Sequence, residues 1–360
     1  MPAARHGRFV RAIPNRRLAV VAVTREPALV MAGLRSPDPA AGEAPREAVL
    51  GPAPVESRRK FLRQTAVLPV ALLVARQSVG GAPAPAGAEE KMPCVPFGRH
   101  SMSRLICGTN TFNAGSHLST FVNREMLAYY TPERILQTLR RCGELGINFF
   151  QATKRGLEVY PRFLAAGGRM QCLTLASSPE DVAVQVKLGS AGIAHHGETT
   201  DILFKSGRFD RVNELLKRVR DTGLMVGVST HMPAVVEAVE AKGWDVDYYM
   251  TCVYERNRSA EELKQLLGSV PLPVREVYLE EDPPRMYRVI RQTRRPCLAF
   301  KILAAGRLCE NRASVEKAFR EAFEGIKPND AVIVGLYDRY SDQPGEDAAF
   351  TRRFGASGAA

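Results

Sequence analysis

No two cysteines in this chain stand at a CxxC or ribbon-like spacing. All seven (Cys94, Cys107, Cys142, Cys172, Cys252, Cys297 and Cys309) are scattered. That excludes a zinc ribbon and a dithiol redox motif and leaves most of them as small buried hydrophobes. No HxH or HExxH fixes a metal geometry. The apolar run Thr65 to Ala75 is too short for an ordinary transmembrane helix, which needs about 20 residues. No stretch of lysine and arginine is interleaved with aromatics, so the net charge of +12 does not point to nucleic acid. The excess sits at one end. Of 50 basic and 38 acidic residues, Met1 to Ala88 hold 13 and 5, which leaves 37 against 33 for the rest.

The 360 residues, 45% hydrophobic and 24% charged, suffice for one large core and fit neither a disordered nor a fibrous chain. The organising stretch is Gly192 to Glu255, which alternates short apolar runs with helical patterns. Each run ends in polar residues: His195-His196-Gly197, Ser229-Thr230-His231 and Thr251-Cys252-Val253-Tyr254-Glu255. This is the pattern of βαβ units and a parallel sheet, whose strands are apolar throughout until they leave the core. Active sites of such sheets lie at the C-terminal strand ends. In Phe209 to Asp221 the apolar Val212, Leu215, Leu216 and Val219 recur at helical spacing, and Gly223 is placed to end the helix.

The same pattern extends from Leu105. Candidate strands are Leu105 to Asn110, Ile147 to Ala152, Gln171 to Ser177, Ile193 to His196, Met225 to His231, Tyr248 to Tyr254, Cys297 to Ala304 and Ala331 to Tyr337. Eight strands over this length predict an α/β fold, a (β/α)8 TIM barrel over residues 100–345, with a flexible tail at 346–360. Thr131-Pro132-Glu133 opens one helix and Gly146 ends it, while Ser259-Ala260-Glu261-Glu262 has capping-box spacing. Two long connections, Thr111 to Tyr130 and Glu255 to Pro284, read as functional lids.

Residues 1–56, rich in Ala, Pro, Gly and Arg, read as disordered or as an over-long start with Met31 as an alternative initiator. Residues 57–88 begin Ser57-Arg58-Arg59-Lys60-Phe61-Leu62-Arg63, continue into the short apolar run and end among Ala and Pro. This resembles a twin-arginine signal, with cleavage options at Ala84, Ala86 or Ala88, and implies export through the twin-arginine translocase to the periplasm or beyond. No stable membrane span is expected.

Over roughly Leu105 to Tyr340 the chain resembles the aldo-keto reductase superfamily. Leu216 to Thr230 is similar to the family's segment ending in G-V-S-N, Lys301 to Leu308 to its P-L-G-x-G-x-L loop, and Val332 to Gly335 to its V-I-x-G. The resemblance implies an exported NADP-dependent oxidoreductase acting on a polar small molecule, with the cofactor along Ser229, Thr230, Lys301 and Arg307. The chain departs from the family's Asp/Tyr/Lys/His tetrad. Gln151-Ala152-Thr153-Lys154-Arg155-Gly156 replaces D-T-A-x-x-Y-G, the third strand lacks lysine, and only His195 or His196 survives.

The residues themselves suggest further roles. His195 and His196, adjacent on a strand, point to opposite faces. His231 and Glu255 on later strand ends offer, with His196, either a two-histidine, one-carboxylate site for a divalent metal or plain hydrogen bonds to substrate. Lys301 interrupts Leu298-Ala299-Phe300 and Ile302-Leu303, so its amine must be paired or have a lowered pKa; Schiff-base nucleophile, base, anion anchor and ion-pair partner all remain open. Asn110, Gln151, Ser177 and Tyr254 occupy matching strand ends and would contact substrate, and Cys252 is the one thiol placed for reactivity. Two alternatives stand beside the reductase: a cofactor-free or metal-assisted lyase, isomerase or hydrolase using Lys301, His196, His231 and Glu255, and a non-catalytic extracytoplasmic binding protein.

Overall fold

The computed structural model describes residues 91–272 and 276–356. The proposed extension over 1–56 and the signal segment over 57–88 lie outside them. Among the described residues no helix is long and apolar enough to cross a membrane.

The first two strands, β1 (Cys94–Phe97) and β2 (His100–Ser103), form an antiparallel hairpin. Eight parallel strands then close into a barrel: β3 (Leu105–Gly108), β4 (Phe149–Gln151), β5 (Gln171–Ala176), β6 (Gly192–His195), β7 (Met225–Thr230), β8 (Tyr248–Cys252), β9 (Cys297–Phe300) and β10 (Ala331–Gly335). Each bonds to the next, and β10 returns to β3 through Val332 opposite Leu105. The helices alternate with them. After β3 come α1 (Thr120–Tyr129) and α2 (Pro132–Glu144), after β4 α3 (Lys154–Ala165), and after β5 α4 (Pro179–Lys187). After β6 come α5 (Gly197–Lys205) and α6 (Asp210–Arg220), and after β7 α7 (Pro233–Ala241). After β8 come α8 (Ala260–Leu267) and α9 (Asp282–Gln292), after β9 α10 (Arg312–Gly325), and after β10 α11 (Gln343–Gly355). The fold is the predicted (β/α)8 barrel.

All eight predicted strands are present, but each leaves the ladder one to four residues before its predicted end. The displaced residues include Asn110, Ser177, His196, His231 and Lys301. Once a side chain must face the mouth rather than a neighbouring layer, the backbone turns, and Lys301 does so at φ 63°. Helix signals hold locally: Thr131 accepts from the Arg134 N–H, Ser259 and Glu262 form a capping box, and Val212, Leu215, Leu216 and Val219 are buried.

Two boundaries need correction. The flexible tail expected from residue 346 is helical to Gly355, because Ala348, Phe350 and Thr351 are buried on α11. The folded part also starts before residue 100. Val95, Phe97 and Met102 of the hairpin join Ile106, Phe149, Leu173, Tyr248 and Leu298 in the core inside the barrel. The Phe97 ring meets Phe149 and Tyr248 edge-on at 5.9 and 5.0 Å. Phe149 and Tyr248 begin their strands, so the hairpin plugs the N-terminal end and leaves the C-terminal end as the open mouth. A second core shell, including Tyr249, Val228, Val332 and Phe319, fills the space between strands and helices.

Candidate functional site

The parity of β6 separates its two histidines. Ala194 belongs to the core inside the barrel and Ile193 to the shell beneath the helices. His195 follows Ile193 outward, where its Nδ1 lies 2.7 Å from the Thr200 hydroxyl of α5. Burial pushes its pKa down to about 4. The catalytic expectation for His195 is therefore corrected: it is a neutral packing residue behind the strand. His196, at the start of α5, is also held below its ordinary pKa by burial, and its Nδ1 is buried with no partner among the described residues.

The organising group of the mouth is Asp201, which sequence reasoning missed. It is 1% exposed and accepts from four donors: the Thr230 hydroxyl at 2.5 Å, the His231 backbone N–H at 3.1 Å, His231 Nδ1 at 2.8 Å and Asn257 Nδ2 at 2.6 Å. An ionised carboxylate can only accept, so the imidazole proton sits on Nδ1 and Nε2 keeps its lone pair. Burial lowers the His231 pKa, the bond to Asp201 opposes this, and the charges of Arg256 and Lys301 lower it again. The result is a neutral, oriented imidazole, the form a general base requires. Gly197 makes room for it, since a Cβ there would stand 2.9 Å from Ser229 Oγ and 3.3 Å from His231 Cε1. The available signal was a carboxylate one turn into the helix that follows the double histidine and packs on the strand ending in His231.

Lys301 follows β9 directly. Its amine has no hydrogen bond or ion pair among the described residues, which removes the ion-pair option left open by the sequence. Burial lowers its pKa to about 8, with smaller influences from Cys252, Arg256, Glu276 and Arg307. Lys301, Ala304 and Ala305 all adopt positive φ (63°, 47° and 53°), a run of non-glycine strain of the kind that clusters at functional sites. Cys252, at the end of β8, is fully buried with its thiol pushed up to about 12 by burial, so it is no nucleophile near neutral pH.

Other predicted residues are placed differently. Glu255 is not brought to the histidines: its carboxylate lies 2.6 Å from Arg285 and 3.4 Å from Arg258, beside buried Asp282. The proposed His196, His231 and Glu255 metal set is corrected accordingly. Among the described residues no three His, Cys, Asp or Glu side chains converge to hold an ion. Asn110 is exposed in a 3-10 turn, and Ser177 is exposed against Thr199, so both lie on the outer rim. Gln151 is buried and donates to the Ala152 carbonyl. Tyr254 is buried against the Tyr278 ring at 5.0 Å. Ser229 and Thr230 are buried beside Gly197 and Asp201. Arg307, assigned to cofactor phosphate, lies 4.1 Å over the Tyr278 ring and donates to the Ala304 and His117 carbonyls at 3.2 and 3.1 Å.

The two long loops meet over the mouth. Arg256, Asn257 and Glu276 come from the loop after β8, and His117 from the loop after β3. With Asp201 and Lys205, the first three line a cavity of about 320 Å³. A larger depression of about 630 Å³ lies between α2 and the loop after β10, away from these groups. Its Arg134 and Arg141 are already paired with Asp338 and Asp342.

Fold and site together define a (β/α)8 barrel with a histidine–aspartate pair and a lysine without an ion-pair partner among the described residues at its C-terminal mouth. No family model and no curated protein matches the chain. Among solved structures it is similar to a truncated 3-deoxy-D-arabino-heptulosonate 7-phosphate synthase from Thermotoga maritima, with 12% identity, 75% of this chain and 91% of that one covered, and a TM-score of 0.44. An N-acetylneuraminic acid synthetase from Leptospira borgpetersenii gives 10%, 73%, 88% and 0.43, and a dihydropteroate synthase from Xanthomonas albilineans gives 14%, 72%, 97% and 0.41. At these values the likeness says nothing of this chain's activity.

The reductase family and the oxidoreductase activity read from the sequence are corrected: no family model matches the chain, and Arg307, assigned to the cofactor, is held by the Tyr278 ring and the Ala304 and His117 carbonyls. The alternatives fall as well. Glu255, which the lyase, isomerase or hydrolase reading joined to Lys301, His196 and His231, is held instead by Arg285 and Arg258, and nothing in the comparisons supports a non-catalytic binding protein.

Proposed function

We propose that the barrel is a group-transfer enzyme for small anionic molecules. An acceptor N–H or O–H attacks the donor's electrophilic centre, and its proton passes to His231 Nε2. The bond to the departing group breaks, and the electron pair leaves with an anion, phosphate in the simplest case, that Lys301 and Arg256 receive. Asp201 then stabilises the imidazolium. Electrostatic stabilisation of charge that develops in the transition state is the largest single catalytic effect in most enzymes, and a half-buried site strengthens it. The cavity of about 320 Å³, lined by Asp201, Arg256 and Glu276, suits a small molecule.

One observation carries this reading: the His231 base, oriented by Asp201, lies at the same end of the barrel as the half-buried Lys301 amine, which has no counter-ion among the described residues. Titration calorimetry with inorganic pyrophosphate tests it. One equivalent is expected to bind the wild type near pH 7, and binding should be lost in Lys301→Met. Absence of binding to the wild type, or undiminished binding to the variant, would remove the reading.

A further inference from the structure

Glu276 has no part in the proton path, yet Arg256 and His117 are turned toward it. Its Oε1 lies 2.7 Å from Arg256 Nη1 and 3.1 Å from His117 Nδ1, and its Oε2 accepts from the Tyr278 hydroxyl at 3.0 Å. Burial works against its charge, but the His117 hydrogen bond and the Arg256 charge hold its pKa at about 2. Both ends of the contact are strained: Glu276 has φ 64° and His117 φ 58°, conformations non-glycine residues rarely adopt. Arg307 clamps the pair through its bond to the His117 carbonyl at 3.1 Å and its stacking on Tyr278. A carboxylate therefore bridges the two loops, using the guanidinium that an incoming anion needs.

We propose that Arg256, His117 and Tyr278 form a subsite for an oxyanion group of the substrate, and that Glu276 fills it as an internal surrogate until a ligand displaces it. The two oxygens of Glu276 take up donors from three directions, as one face of a phosphate or a substrate carboxylate would. Displacement frees the backbone at Glu276 and His117 to relax, so ligand binding and loop rearrangement become one event. The inference rests on the group-transfer reading only in placing the substrate's anion in this mouth.

Inorganic pyrophosphate titrated into the full-length protein provides the test. Glu276→Gln keeps the shape and removes the competing charge, and is expected to bind about tenfold more tightly than wild type, within the usual range of such couplings. Glu276→Ala, which also removes the side chain's bulk, should bind at least as tightly and serves if the glutamine variant folds poorly. Adding Arg256→Gln to either variant should abolish the gain. Equal or weaker binding by both Glu276 variants, with Lys301 still required, overturns the surrogate alone. A gain that survives loss of Arg256 overturns it too. No binding to any of these proteins overturns both the surrogate and the reading beneath it.

Discussion

Asp201→Asn probes the least replaceable part of the site. In the wild type the carboxylate receives four donors, among them His231 Nδ1 at 2.8 Å. An amide presents one accepting oxygen and one donating nitrogen. Thr230 bonds Oδ1, whereas the His231 N–H, His231 Nδ1 and Asn257 Nδ2 all bond Oδ2; an amide nitrogen at the Oδ2 position falls opposite Nδ1 and loses the bonds from the His231 N–H and Asn257. The imidazole then accepts there and carries its proton on Nε2, the atom that must be bare to act as base. Losing two of four hydrogen bonds at about 1 kcal/mol net apiece puts the stability cost near 2 kcal/mol, and Asp201→Ala, which loses all four, near 4 kcal/mol. A tautomer switch of this kind lowers turnover by about 10⁴-fold in serine proteases, and a comparable loss is expected here. Long-range nitrogen–proton correlation spectra of the His231 ring report the tautomer, and urea unfolding reports stability. The reasoning is refuted if the wild-type proton resides on Nε2, or if Asp201→Asn leaves the ring spectrum unchanged.

Four other outcomes follow from the same structure. Lys301→Met should raise stability at pH 7, because a fall in amine pKa from 10.5 to about 8 corresponds to at most about 3 kcal/mol. The folded amine gives up its proton first, so wild-type stability should decline as pH falls from about 10.5 to 8 and level off below, and the methionine variant should lack this slope. The lowered pKa values of His195, His196 and His231 make the unfolded chain take up protons first, so stability should also drop as pH falls below about 6.5, with His195→Gln flattening part of that decline toward pH 4. Gly197→Ala places a Cβ 2.9 Å from Ser229 Oγ and should weaken pyrophosphate binding in calorimetry more than it lowers the melting temperature. Phe97→Ala empties the N-terminal plug at the far end of the barrel and should cost about 3–5 kcal/mol in urea unfolding while leaving pyrophosphate affinity unchanged.

The architecture was legible because burial on both faces forces each strand to be apolar, and such runs stand out when helices separate them. The hairpin escaped notice because Cys94–Phe97 and His100–Ser103 are only four residues each, and their pairing depends on the barrel end they close. The site was partly legible. Polar strand ends singled out His231 and Lys301, which follow β7 and β9 at the same end of the barrel. Asp201, Arg256 and Glu276 were not found, since two lie on loops whose path no periodicity encodes and Asp201 sits in a helix where an acidic residue ordinarily faces water. Glu255 failed for a related reason: the sequence gives no sign that Arg258 and Arg285 fold back to claim it. The family resemblance misled because it rested on short segments such as Val332 to Gly335, which lies within β10, and Lys301 to Leu308, which follows β9.

A crystal structure of the protein with inorganic pyrophosphate bound tests the central claim most directly. The account predicts density in the C-terminal mouth, within hydrogen-bonding reach of Lys301 Nζ and the Arg256 guanidinium and next to His231, with the Asp201 contacts intact. Pyrophosphate seated among the arginines between α2 and the last loop, or a mouth that stays empty at saturating concentration, would contradict it.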